Sequence, residues 1–383
     1  MESNAGNKYR SSTPTADRKN SELVTRSALW AAMAHDYGAF NADKQKKGLY
    51  DLVGFNDLRY VDDDLYSLFK AEKVKEPDLS SIKAIDAGQV SLRLEERLHR
   101  ILPVYLNRLI LGVRFSEPLH AVYDLAALRG YIDNQGNATD KLSEWHRCGD
   151  GSEKLSLEFL TDLQRHYRED QFHELISRRE SLAERDLNEQ LSLVGTLLER
   201  HGRFHATVID FGVHRTSIPF GASQAGYQPA GQSLMDCARG LVFSMQSDAS
   251  FFEQCLGAIV HVECHQEIGF YLRAMFFVVP GEMGFRQQFQ ARVVRLWQAI
   301  VGRGGWIQDR RGHQNKIIGG LGAVSVKDDA SILRLKKAMF YGVQKDLCMR
   351  VDAGQSTTFL TVAVQPMRLG IDRGFLPFNR VQS

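Results

Sequence analysis

The sequence predicts an α+β protein: an antiparallel β-sheet with helices on one side, preceded by an all-helical N-terminal region. Three observations lead there. Helical periodicity dominates from Glu22 to about Arg200, period-two alternation takes over at Arg203–Val213, and two further strands read from the run Gly257–Val279. From residue 201 onward the elements follow the order β–α–β–β–α–β–α–β, which suits an antiparallel sheet carrying its helices together. Residues 1–21 are a polar tail expected to stay disordered, 22–200 the helical region, 201–368 the α+β domain and 369–383 a C-terminal tail.

In the helical region ELVTRSALWAAMAHDYGAF gives a first amphipathic helix, and DDDLYSLFKAEKV opens on acidic residues, as a helix dipole prefers. SLRLEERLHRIL runs to a break at Pro103. SEPLHAVYDLAAL starts at a capping Ser116 followed by Glu117 and Pro118. After the turn-rich RGYIDNQGNATD, residues 157–200 make one or two long charged helices with an apolar stripe at Leu187, Leu191, Val194 and Leu198.

In the second half RFHATVIDFGV is a strand that buries Asp210, and a helix spans about Leu234–Gln246. The two central strands follow. On the first, Leu256, Ala258, Val260 and Val262 share one face, while His261, Glu263 and His265 share the other. On the second, Tyr271 and Arg273 sit opposite the apolar face of Phe270, Leu272 and Ala274. A helix with Phe289, Val293, Leu296, Trp297 and Ile300 on one stripe comes next. The Gly- and Arg-rich stretch GRGGWIQDRRGHQNK is a loop or hairpin. A short strand AVSV, a helix over about Ala330–Met349 and a last strand TTFLTVAV complete the chain.

At 383 residues the chain can bury at least one sizeable core, and its net charge of +2 leaves any nucleic-acid surface to a local patch. Five scattered cysteines without a CxxC pair suit a reducing, cytoplasmic setting and argue against a thiolate zinc site. No apolar run is long enough for a membrane span, so no membrane partner is expected.

Several motifs bear on chemistry. A strand with an acid (Asp210) precedes a strand ending at Glu263, then Gly269 and the polar pair Tyr271/Arg273. A helix with Trp297 follows, and a late helix reads Tyr341, Gln344, Asp346, Arg350. In this order and spacing, residues 195–365 resemble the YagK/YfjJ C-terminal domain family of inovirus-type replication proteins. Those are similar in turn to the rolling-circle replication initiators of the HUH endonuclease superfamily. The resemblance implies a replication-initiator-like fold in which two histidines flanking one apolar residue hold a divalent metal, Mg or Mn. A tyrosine of a late helix attacks a DNA phosphodiester, and a lysine one turn later assists.

By that resemblance Tyr341 is the nucleophile and Glu263 an acid near the phosphate or metal. The histidine pair is replaced by Tyr271-Leu272-Arg273, and the lysine by Gln344, with Lys345 standing one turn from Tyr341. Arginine cannot ligate a metal. Either Arg273 replaces the cation as a phosphate clamp beside Tyr271, or His261, Glu263 and His265 form a relocated metal site. The residues also fit a plainer account: Tyr341 packing its helix, Arg273 and Glu263 joined in an ion pair between strands, and Asp210 capping a loop. Arg303, Arg310, Arg311 and Lys316, interleaved with glycines and Trp306, suit single-stranded nucleic acid. The expected function is therefore a diverged, rolling-circle initiator-like DNA-binding protein of a phage or mobile element, acting on single-stranded or origin DNA and nicking through Tyr341. The alternative is an inactive DNA-binding or regulatory protein that keeps the fold.

Overall fold

The computed structural model describes residues 113–133, 139–141, 152–213, 224–248, 251, 254–265, 269–281, 285–309, 321–351 and 359–363, together with Met33, Asp62 and Leu65. The first three expected helices and both tails lie outside these residues, apart from the three single positions, each of which is helical.

Residues Val113–Phe115 form β1 and Glu117–Leu128 form α1. The Ser116 hydroxyl caps α1, accepting from the Leu119 N–H, with Pro118 in the first turn. The charged stretch resolves into two helices, α2 (Ser152–Tyr167) and α3 (Asp170–His201). Helix α3 ends at Gly202, whose left-handed φ of 67° turns the chain directly into β2 (Arg203–Val213). Helix α4 (Gln224–Ser247) is longer than the Leu234–Gln246 expected, and leads to β3 (Cys255–His265) and β4 (Gly269–Val278). Then come α5 (Phe285–Val301), a 3-10 turn at Gly302–Gly304, β5 (Gly305–Asp309) and β6 (Ala323–Ser325). Helix α6 (Asp329–Cys348) runs into β7 (Met349–Val351), and β8 is Phe359–Ala363.

The protein is mixed helix and antiparallel sheet, as its patterning predicts. The main sheet has six strands in the order β5-β2-β4-β3-β8, with β6 also pairing β2. All its described ladders are antiparallel. Two expectations need correction. The N-terminal region is not wholly helical, because β1 pairs with β7 in a separate two-stranded ladder. The helices are not on one side of the sheet. On one face Trp297 of α5 packs 5.7 Å from Phe211, and Phe289 packs 5.4 Å from Phe276. On the other, Gln190 of α3 reaches His261, and Lys345 of α6 reaches Glu263. The reason is legible in β4, which is buried from Phe270 to Val278 on odd and even positions alike. A strand apolar on both faces needs cover on both.

Candidate functional site

The antiparallel register of β2, β4 and β3 gathers the polar residues of the central strands onto one face. Across one row Asp210 stands beside Arg273, and Arg273 beside His261. In the next row Trp306, Gly212, Tyr271 and Glu263 follow one another from β5 to β3. Helices α3 and α6 cover this face, and α6 turns Gly342 toward His261. A Cβ there would stand 3.4 Å from His261 Nε2.

The charges are closed upon one another. Arg273 donates from Nε to Asp210 Oδ1 at 3.0 Å and from Nη2 to Asp210 Oδ2 at 3.2 Å, a forked pair with Asp210 fully buried. The same Nη2 donates to the Tyr271 hydroxyl at 3.4 Å, and the guanidinium lies 5.7 Å from the Tyr271 ring centroid. Lys345, from α6, donates to Glu263, both side chains being buried. The strand-to-strand pair expected between Arg273 and Glu263 is thus replaced by two others, Arg273 with Asp210 and Lys345 with Glu263. Asp210 serves the guanidinium in its own sheet rather than a loop.

His261 is half-buried, with Nε2 3.5 Å from Gln190 Nε2. Burial, then the positive charges of Lys345 and Arg273, lower its pKa from the ordinary 6.5 to about 3, so the imidazole is neutral. Gln190 is fully buried, and its Oε1 has no hydrogen-bond partner among the described residues. Above His261 a cleft between α3 and α6 is lined by Arg179, Asp186, Asp346 and Arg350. Burial is the larger influence on Asp186 and raises its pKa against the pull of Arg185.

Tyr341 lies one turn before Lys345 and is 2% exposed within the apolar core. His265 belongs to β3 and Arg303 to the turn before β5, but their side chains fall outside the described residues, as do Arg310, Arg311 and Lys316 entirely. As placed, His261 and Glu263 do not fit a divalent metal. Glu263 is taken up by an ammonium, and two cations already disfavour positive charge at the imidazole. Among the described residues no group of three or more histidine, cysteine or acidic side chains is arranged to hold a metal. No described helix is long and apolar enough to cross a membrane.

Sequence reasoning missed Gln190 and Arg179, both buried in α3. Their signal is a second stripe, Ile176, Arg179, Asp186, Gln190, Leu193 and Leu197, at spacings of three, four and, once, seven residues. Polar members conceal it from a search for apolar periodicity. Comparison with known proteins finds no matching family model, no matching curated protein and no matching solved structure.

Proposed function

We propose that this chain is a DNA-binding protein of replication-initiator-like type that holds DNA without metal-dependent nicking. The observation that carries this reading is the closed pair of ion pairs, Asp210–Arg273 and Glu263–Lys345, at the positions where the resemblance puts metal and acid. A phosphodiester needs an available cation and an accessible nucleophile. Here both cationic side chains are bound to buried carboxylates, and the phenol of Tyr341 is inside the core. What supports nucleic acid as the partner is the edge strand β5, entered through Gly302-Arg303-Gly304 and followed in the sequence by Arg310-Arg311.

The test is a labelled single-stranded oligonucleotide incubated with the protein, with and without manganese. Salt-dependent binding without a covalent adduct is expected, and Arg310→Ala/Arg311→Ala should flatten the plot of log affinity against log salt by about one to two units. An adduct that disappears in Tyr341→Phe restores the nicking enzyme. No binding at low salt removes DNA as the partner.

A further inference from the structure

We propose that the corner where α3 passes into β2 and β6 into α6 is a surface that holds the phosphate backbone of DNA. This rests on the DNA-binding reading and gives it a second contact, away from β5. The Val326 N–H donates to the Gly202 carbonyl at 2.9 Å, and Arg203 pairs with Ser325. The two turns are joined in this way, and Arg200, Arg203 and Lys327 come to one corner, all three exposed. Arg334 is exposed and Lys337 half-buried on the outer stripe of α6, about 8 and 12 Å along the axis from its first residue. None of these five cationic side chains has a hydrogen-bond or ion-pair partner among the described residues. Elsewhere on the surface Arg165 and Arg239 each meet an acid one turn away, at 3.1 and 2.6 Å.

Charge complementarity selects the occupant. Over residues 199–203 and 325–337 six lysines and arginines stand with three acids, a surplus larger than the net +2 of the whole chain. Of those acids, Asp328 is engaged in capping α6, where it accepts from the Ala330 and Ser331 N–H groups. Arg200 also suits the negative end of α3, so its place has a reason without any ligand. Arg203 and Lys327 have no such reason. Lys327 directly precedes the cap of α6, at the positive end of that helix, where the dipole disfavours a cation and favours an anion. A row of phosphates relieves that repulsion and releases counterions in doing so. No exposed side chain of this corner is aromatic, so it grips backbone rather than bases and reads no sequence.

The experiment titrates the full chain with oligothymidine and with a mixed-sequence oligonucleotide of equal length, across a salt series. Wild type is compared with Arg203→Gln/Lys327→Gln, Arg203→Lys/Lys327→Arg and Arg178→Gln/Arg295→Gln. The last variant removes the same charge from exposed sites elsewhere: Arg178 lies roughly 30 Å back along α3 from Arg200, and Arg295 is on α5, across the sheet. Arg203→Gln/Lys327→Gln should bind both oligonucleotides more than about tenfold more weakly at about 50 mM salt, and should flatten the plot of log affinity against log salt by about one to two units. The variant that keeps both charges should keep the wild-type slope. The distant variant should lose less than about twofold, which separates this corner from net charge alone. If the distant variant loses as much, if Arg203→Gln/Lys327→Gln binds as wild type does, or if its loss depends on base sequence, the corner is not the backbone surface while DNA binding stands. If wild type binds neither oligonucleotide at low salt, both readings fall together, and retention on phosphatidylserine vesicles would then make the corner a lipid contact.

Discussion

His261 shows how a single side chain is set by its neighbours. Its imidazole sits above two cations, and burial, Lys345 and Arg273 together bring its pKa to about 3. In the unfolded chain the same group titrates near 6.5. As pH falls below about 6.5 the unfolded chain gains a proton that the folded chain refuses. Stability therefore falls with pH through this window, and the loss levels off near 3. At about pH 5 the contribution is on the order of 1–2 kcal/mol, allowing for the partial exposure of the ring. Carboxylates titrate here too, so the informative quantity is a difference. Denaturant unfolding at about pH 7 and about pH 5 should show a smaller loss in His261→Gln than in wild type. Equal losses in the two proteins mean that the neutral imidazole is not a stability determinant.

Between elements, the forked bond of Arg273 to Asp210 joins β4 to β2 inside the sheet. A buried pair adds little net stability over a well-packed apolar pair, but removing one member strands a charge. Arg273→Met should cost about 3–5 kcal/mol in chemical denaturation, and Asp210→Leu/Arg273→Met should recover most of it. If the double variant is as unstable as the single one, packing of the arginine stem rather than the stranded carboxylate sets the cost. The strands themselves were legible in the sequence: alternation in Phe270–Val278 and at His261/Glu263 gave the faces and the adjacency that the register bears out. Partner choice was not legible. Asp210 lies 63 residues from Arg273 and Lys345 lies 82 from Glu263, and nothing local says which acid each cation meets. Helix α3 was legible as a helix but not in its inner face. Of its stripe Val194 is buried, while Leu187, Leu191 and Leu198 are only partly buried, because the helix also turns Asp186 and Gln190 toward a sheet face that is itself polar. A periodicity search weights apolar residues, so a helix matched to a polar row is read one position off.

For the molecule as a whole, Arg179 ties the piece around β1 and α1 to the sheet layer. It is buried in α3 and donates through Nη1 to the Phe115 carbonyl at 2.6 Å and to Glu117 at 3.2 Å. Through Nε and Nη2 it also donates to the Asp346 carbonyl of α6, at 2.8 and 2.6 Å. One guanidinium thus serves an acceptor at the end of β1, an acid in α1 and an orphan carbonyl in the last turn of α6, just before β7. Since β1 pairs only with β7 among the described strands, the ladder has the guanidinium as its brace. Burial is the main influence on this group and lowers its pKa, with Glu117 opposing, and the acceptors offset the cost of keeping the charge buried. Arg179→Met keeps the stem and removes the donors. It takes the arginine's hydrogen bonds away from the buried Glu117 carboxylate and from two carbonyls, at a cost of about 3–5 kcal/mol. Hydrogen exchange should then quicken together at the amides of β1 and β7 while those of β4 stay protected, because the central sheet is held by its own core. Adding Glu117→Gln should recover part of the stability by removing the buried charge. Uniform exchange across β1, β7 and β4 in Arg179→Met would mean that the two pieces unfold as one unit and that the arginine is not the brace between them.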